Sequence, residues 1–199
     1  MNILVDLLPL TVKIEGIEYD INSDFRTSML FELMMNDNEL DDEQKIINAI
    51  ELYYSEVPTD INIAVEQILW FYKCGKDVKT SSGNGKGKSA QIYDFEFDDD
   101  YIYSAFLDQY NIDLQDIDNL HWWKFKALFK SLKEDNEIVK IMGYRSTDLN
   151  KIKDKEEKAH YKKMKDLYKI KSQVSKDETE KLESIEEALQ NGGDLSKLL

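Results

Sequence analysis

The chain has 199 residues, with 40 acidic residues against 26 lysines and arginines and a formal charge of −14. Its 11 tyrosines, 8 phenylalanines and 3 tryptophans supply enough apolar surface for a folded core, which excludes a wholly disordered chain. Eight glycines, two prolines and the single cysteine Cys74 exclude collagen-like and disulfide-stapled chains. We expect an acidic, soluble and mostly helical protein.

Targeting signals are not expected in this sequence. No run of about 20 apolar residues is present, so we expect no membrane span. The first twenty residues carry no basic segment and no small-residue cleavage site, which argues against a signal peptide. A lone cysteine fits a reducing compartment, so we expect the cytoplasm.

The charge is distributed unevenly along the chain. The balance is −12 in residues 1–72, +4 in 73–90, −9 in 91–120 and +3 in 121–199. An acidic body repels phosphate, so binding of nucleic acid is disfavoured. The acidic residues are interpreted as solvated helix faces or, alternatively, as a docking surface for a basic segment of a partner.

The N-terminal part predicts a β-hairpin and a first helix. Apolar and polar residues alternate over residues 12–21 around Glu15-Gly16, as in a hairpin with a two-residue turn. Asp24 is the expected cap of a helix over residues 25–35. The residues expected on one side of that helix are Met29, Leu30, Leu33 and Met34.

Two further helices are predicted before residue 76. Asp41 or Asp42 is expected to cap the second, whose apolar residues at helical spacing are Ile46, Ile47, Ile50, Tyr53 and Tyr54. Pro58 interrupts this helical pattern. Thr59 or Asp60 is expected to cap the third helix, which ends at Cys74-Gly75. The buried stripe expected on the third helix consists of Ile61, Val65, Ile68, Leu69 and Tyr72.

Residues 75–90 are rich in glycine, serine and lysine and are predicted to be a flexible linker. Three helices are expected after it. The first starts near residues 98–100, with Ile102, Ala105, Phe106 and Tyr110 on one face. The second covers residues 120–132 with Asp118 or Asn119 as its cap. The third is short, carries Ile138, Val139 and Met142, and ends at Gly143.

The C-terminal part is predicted to be a charged arm. Residues 146–170 form a highly charged helix with a thin apolar stripe, and residues 177–190 form a last, marginal helix. The expected organisation is a helical body over residues 1–145 and an arm and tail over 146–199. The predicted fold is mostly α, with a small N-terminal β-hairpin, a helical body and a charged C-terminal helical arm.

Patterns of known chemistry are incomplete in this chain. Gly87-Lys88-Ser89 has serine at position 82, where a phosphate-binding loop needs glycine, and a strand-to-helix frame is missing. The acidic residues around 98–100 and 113–118 lack the glycine and glutamate of a calcium loop. Two distant histidines and one cysteine make no zinc set. We therefore expect no enzyme activity, no cofactor and no metal.

Residues 120–132 form the most informative predicted helix. One face carries Trp122, Phe125, Phe129 and Leu132, and another carries Leu120, Trp123 and Ala127. Lys126, Lys130 and Lys133 run between them. Two interpretations stay open. The tryptophans anchor the core beside solvated lysines, or aromatic side chains and cations together form a binding surface.

Three blocks of the sequence resemble a known family. They are YDFEFDDDYIYSAFLDQYNIDL (93–114), LHWWKFKALFKSL (120–132) and IMGYRS (141–146). Their order and spacing resemble the bacteriophage gene-product-15 family over most of residues 1–170. The resemblance implies a mostly helical protein encoded in the tail module of phages or prophages, near the genes for the tail-tube and tape-measure proteins.

That gene position is typical of tail assembly chaperones, which coat the tape-measure protein before the tube forms. The function implied is non-enzymatic binding of the tape-measure protein, and of other tail proteins, in the cytoplasm of the bacterial host, with self-association of the chain. The candidate partner-binding residues are Trp122, Trp123, Phe125, Lys126, Phe129, Tyr144 and Arg145. The alternatives are a structural virion component, such as a tail-completion or connector protein, and a nucleic-acid-binding regulator, with a hydrolase as a distant third.

Overall fold

A computed structural model describes residues 2–76 and 91–170 of the chain. Contacts divide these residues into two compact units, the first formed by residues 2–76 and 98–139 and the second by 91–97 and 140–170. Seven helices and a two-stranded antiparallel hairpin occur in the described residues, which confirms the predicted mostly α fold. No helix among them is long and apolar enough to span a bilayer.

Several predictions concern residues outside the described ranges. They are most of the predicted linker, the Gly87-Lys88-Ser89 motif and the helix expected over residues 177–190. The division expected at residue 145 stays a prediction.

The N-terminal hairpin is present as predicted. Strand β1 (Thr11–Ile14) pairs with β2 (Ile17–Asp20), and Ile14 lies opposite Ile17. Glu15 and Gly16 adopt φ values of 51° and 86°, which is the left-handed pair of a type I′ turn. Such a turn matches the twist of the two strands, so a two-residue connection suffices.

Helices α1 (Phe25–Asn36), α2 (Asp42–Tyr53) and α3 (Ile61–Tyr72) follow the hairpin. Each begins after an aspartate that accepts a hydrogen bond from a backbone amide of the first turn. These caps are Asp24, Asp41 and Asp60. Asp41 forms a full capping box with Gln44. The predicted helix starts are confirmed.

The buried side of α1 differs from the predicted one. Leu30 is exposed and the three other residues of the predicted face are only partly buried, whereas Phe25, Thr27, Ser28 and Phe31 are buried. The Ser28 hydroxyl lies 2.8 Å from the Tyr53 hydroxyl, and the Phe31 ring meets the Tyr53 ring edge-on. A small polar residue therefore belongs to the core because α2 supplies its hydrogen-bond partner.

The buried side of α3 is also rotated from the predicted stripe. Of that stripe only Ile68 is buried, and its companions in the core are Ala64 and Phe71. The small Ala64 lets the Tyr54 side chain approach the helix and donate to the Ala64 carbonyl oxygen at 3.0 Å. Burial raises the pKa of Tyr54 to about 12.

Helix α4 (Asp99–Tyr110) buries Ile102, Ala105 and Phe106 on the predicted face. Tyr110, predicted on the same face, is only partly buried. Its ring meets Phe106 edge-on, and its hydroxyl donates to the Leu128 carbonyl oxygen at 2.8 Å.

Helix α5 (Trp122–Lys130) begins later than predicted. Its cap is His121, whose Nδ1 accepts the Trp123 amide at 3.1 Å, so the assignment to Asp118 or Asn119 was wrong. The reason lies upstream: Leu120 donates its amide to Asp24, and Trp122 donates its amide to the Ser23 carbonyl oxygen at 2.8 Å. These bonds hold the chain extended against the start of α1 until residue 122.

The last two helices are α6 (Glu137–Ser146) and α7 (Lys155–Leu167). The predicted end of α6 at Gly143 was wrong, because that glycine has no left-handed φ and the helix continues for three residues. The helix expected over residues 146–170 is correspondingly shorter. Asp154 caps α7, which contains no buried residue.

Candidate functional site

The aromatic residues of α5 lie in the core of the first unit. Phe125 is the centre of a stack in which Phe25 and Phe106 lie at 5.2 and 4.8 Å between ring centroids. Trp122 and Phe129 continue the stack along α5, at 5.6 and 5.9 Å from Phe125. All five rings are buried, so the predicted apolar face of α5 is a packing face.

Both tryptophans of α5 also donate hydrogen bonds to the C-terminal end of α3. The Trp122 indole N–H donates to the Tyr72 carbonyl oxygen at 2.9 Å, and the Trp123 indole N–H donates to the Phe71 carbonyl oxygen at 2.8 Å. These carbonyls belong to the last turn of α3, whose acceptors lack partners within the helix. This arrangement favours the core interpretation of the two tryptophans, and a partner-binding role for their rings stays a prediction.

The chain leaves α3 through a tight contact with these indoles. Gly75 has a left-handed φ of 64°. A Cβ atom built on it would lie 2.8 Å from the Trp123 ring and 3.3 Å from the Trp70 ring. Glycine is therefore required on both conformational and steric grounds.

Of the three lysines in the predicted strip, Lys126 is the one that is half-buried. Its Nζ lies 5.0 Å from the centroid of the Trp122 ring, a cation–π distance. Burial lowers the pKa of Lys126, and the negative charge of Glu32 opposes this shift. Lys130 and Lys133 are exposed. The predicted lysine strip is thus one packed lysine followed by two solvated ones.

His121 connects the N-terminal segment with α5. Because Nδ1 accepts the Trp123 amide, the proton of the neutral ring lies on Nε2, which donates to the Pro9 carbonyl oxygen at 3.1 Å. Burial lowers the pKa of His121. Protonation of Nδ1 would remove the acceptor that caps α5.

Stability is expected to fall as the pH drops below about 6.5, the usual pKa of histidine. In that range the unfolded chain binds a proton at His121 before the folded chain does. The change in unfolding free energy between pH 7.5 and 5.5 should be smaller in His121→Asn than in the wild-type chain, because asparagine caps helices without titrating. Urea denaturation at both pH values measures it. A pH dependence in His121→Asn equal to that of the wild-type chain would contradict this role of His121.

In the second unit, Arg145 is buried and joins three segments. Its Nε donates to the Tyr168 carbonyl oxygen at 2.6 Å, and its Nη1 donates to the Ile92 carbonyl oxygen at 3.2 Å. Tyr144 stacks on Tyr168 at 6.0 Å between centroids. Residues 144 and 145, both predicted as partner-binding, hold the end of α7 against α6, and their role toward a partner stays a prediction.

Asp113, in one of the two predicted acidic clusters, and the nearby Asp94 have local roles. Asp94 accepts the amides of Glu96 and Phe97, and Asp113 accepts the Gln115 amide and the Tyr103 hydroxyl. Within residues 2–76 and 91–170 there is no group of three or more histidine, cysteine or acidic side chains placed to hold a metal ion.

A model of the bacteriophage Gp15 protein family matches residues 4–170, which is most of the chain. The chain belongs to the bacteriophage Gp15 protein family. No curated protein and no solved structure matches it. In this Gp15 family member, the three resembling sequence blocks lie within the matched residues.

One surface of this Gp15 family member was not predicted from its sequence. Leu4, Val5, Leu7 and Leu10, which we call the N-terminal apolar segment, are 88%, 78%, 93% and 62% exposed. The available signal was a run of apolar residues, interrupted by Asp6 and Pro9, that comes before the alternating pattern of the hairpin. Contiguous exposed apolar patches are common at protein interaction sites.

Proposed function

We propose that the protein is a non-enzymatic phage tail assembly protein, a chaperone that binds the tape-measure protein in the cytoplasm of the bacterial host. Membership of the Gp15 family supports a phage role. The observation that supports a binding role is the N-terminal apolar segment. Its leucines are exposed, and backbone hydrogen bonds hold the chain at both ends of the segment.

The segment suits capture of a long helical client. Asn2 accepts the amides of Val5 and Asp6 at its carbonyl oxygen, at 3.1 and 2.9 Å, and the Pro9 carbonyl oxygen is bound by His121. Apolar side chains on a backbone fixed in this way lose little entropy on binding. They offer an apolar surface to the apolar stripe of a client helix.

The test is co-expression with the tape-measure protein encoded nearby, followed by pull-down and by size-exclusion chromatography with light scattering. We expect a soluble complex with several copies of this chain. In the double variant Leu4→Asp/Leu7→Asp, the affinity for the tape-measure protein should fall at least about tenfold, which corresponds to about 1.4 kcal/mol of binding free energy, and recovery of the complex should fall with it.

Val57→Asp is the matched control, because Val57 is 74% exposed in the same unit but lies outside the segment. Equal recovery with both variants would exclude the segment as the client site. A tape-measure protein that still aggregates beside free copies of this chain would instead favour a structural virion component, which mass spectrometry of purified particles detects.

A further inference from the structure

We propose that the first unit binds a basic amphipathic helix of another protein at a second surface, formed where α1 ends and α2 begins. The apolar part of this surface, which we call the α1–α2 end patch, consists of Met35, Ile46 and Ile47. These side chains are 46%, 42% and 50% exposed. The patch shares no residue with the N-terminal apolar segment, and the proposal does not depend on the proposed function.

Two residues of the patch continue the buried sides of their helices. On α1, Met35 lies four residues after the buried Phe31. On α2, Ile46 lies four residues before the buried Ile50. Residues four apart share one face of a helix, so both side chains lie on the core side of their helix and are nevertheless exposed. The packing between α1 and α2 therefore ends one turn before these two residues.

Met35 and Ile46 lie at the same end of the helix pair. The hydroxyl groups of Ser28 and Tyr53 are 2.8 Å apart, and the Lys45 ammonium donates to the Met35 carbonyl oxygen at 3.1 Å. An early residue of α1 thus meets the last residue of α2, and a late residue of α1 meets an early one of α2. The two helices are therefore antiparallel, and their uncovered apolar residues form one patch.

Acidic side chains flank the patch. Asp42 and Glu43 are exposed and lie four residues before Ile46 and Ile47, which places them one turn earlier on the same faces of α2. The connection that precedes α2 adds three more exposed acids, which are Asp37, Glu39 and Asp41. The surface therefore combines an apolar centre with a negatively charged border.

Basic residues do not offset this charge. Lys45 is the only basic residue in residues 27–72, which contain ten acidic residues, and its ammonium is bound to the end of α1. A partner must therefore bring positive charge together with apolar contacts. A helix with apolar residues at i, i+3, i+4 and i+7 and with lysine or arginine beside them meets both requirements. The flexible side chain of Met35 suits such a partner because it adapts to differently shaped apolar surfaces.

The lysine-bearing helices α5 and α7 of this chain do not present such a face. The apolar face of α5 lies in the core. On α7, the exposed Leu167 lies about 120–140° around the helix from Lys155 and Lys162, so its apolar and basic side chains do not share one side. We therefore assign the patch to another protein and not to a second copy.

Binding of a synthetic peptide to the full-length chain tests the proposal. The probe is a fluorescent peptide of about 18 residues, made of leucine and lysine in equal numbers with the leucines at helical spacing. By fluorescence anisotropy we expect binding that weakens as the salt concentration rises. A control peptide of the same composition, with leucine and lysine alternating, cannot gather its leucines on one side of a helix. It should bind at least about tenfold more weakly.

Two double variants separate the apolar contribution from the charged one. Ile46→Gln/Ile47→Gln removes apolar contacts without changing the charge, and it should weaken binding of the helical peptide at least about tenfold. Asp42→Asn/Glu43→Gln removes two charges from the border of the patch. It should weaken binding about threefold or more and reduce its dependence on salt.

Each variant has a matched control in the same unit. Val57→Gln/Leu107→Gln replaces two apolar side chains that are 74% and 41% exposed outside the patch. Asp99→Asn/Asp100→Asn removes two exposed acids from the first turn of α4, as the other variant does from α2. Both controls should bind the helical peptide within about twofold of the wild-type affinity.

Circular dichroism verifies that every variant is folded. The proposal is overturned if the wild-type chain does not bind the helical peptide, if it binds both peptides equally, or if Ile46→Gln/Ile47→Gln binds as the wild-type chain does. A chain that light scattering shows to be dimeric, and that this variant makes monomeric, would identify a second copy as the occupant and overturn the proposal too. Binding of the tape-measure protein is decided separately, because its test alters Leu4 and Leu7.

Discussion

Replacing Trp122 with alanine is expected to lower the free energy of unfolding of the first unit by about 3–5 kcal/mol. The side chain is fully buried and stacks on Tyr72 and Phe125 at 5.5 and 5.6 Å between ring centroids. Its loss leaves a cavity in the aromatic stack. It also leaves the Tyr72 carbonyl oxygen without the indole N–H donor.

Urea denaturation followed by circular dichroism measures this effect, and two further variants separate its causes. Trp122→Phe keeps most of the ring but removes the N–H group, so we expect a loss of about 1–2 kcal/mol. Leu107→Ala removes a partly exposed side chain of α4 and should cost less than about 1 kcal/mol. If Trp122→Ala were as stable as Leu107→Ala, Trp122 would not be a core residue.

Replacing Arg145 with methionine is expected to destabilise the second unit by about 2–4 kcal/mol, because hydrogen bonds from a charged donor contribute about 1.5–3 kcal/mol. The buried guanidinium holds the carbonyl oxygens of Ile92 and Tyr168. Arg145→Lys should recover only part of the loss, since an ammonium is a point charge without the planar fork that reaches both acceptors.

Hydrogen exchange followed by mass spectrometry locates the effect. In Arg145→Met, amides of residues 91–97 and of α7 should exchange about tenfold faster or more, while peptides from α1–α3 serve as an internal reference. Lys151→Met is the matched control because Lys151 is exposed. Unchanged exchange in α7 would show that Arg145 does not hold these segments together.

Local signals predicted the beginning of the first unit well. The hairpin depends on alternation and on Glu15-Gly16, and the first three helices depend on aspartates at their N-termini. Each of these signals acts within four residues of the element it sets. Such signals need no knowledge of the rest of the fold.

The buried faces of α1 and α3 could not be predicted in the same way. Ser28 and Ala64 enter the core because Tyr53 and Tyr54 of the neighbouring segment meet them. A sequence-based stripe selects large apolar residues and passes over small partners of this kind. His121 was missed as a cap for a related reason: the bonds that delay α5 come from residues 23 and 24, almost a hundred residues earlier.

The position of the candidate site was predicted from the sequence, and two interpretations of it stayed open. Trp122, Phe125 and Phe129 share the predicted face of α5 and lie in the aromatic core, which is one of the two. The burial of Arg145 depends on carbonyl oxygens 23 and 53 residues away in the chain. The sequence of the N-terminal apolar segment does not tell buried leucines from exposed ones, and only its exposure in the folded chain distinguishes it from core residues.

The hydrogen bonds from the α5 indoles to the end of α3 cannot form until α5 has been synthesised. A ribosome that has finished α3 must add about 50 further residues before Trp122 and Trp123 are in the chain, which takes roughly 2–10 s at about 5–20 residues per second. During this interval the side chains that later contact these rings, Phe71 and Tyr72 among them, have no partner from α5. A nascent chain that stops before residue 121 therefore exposes aromatic surface that the full chain covers.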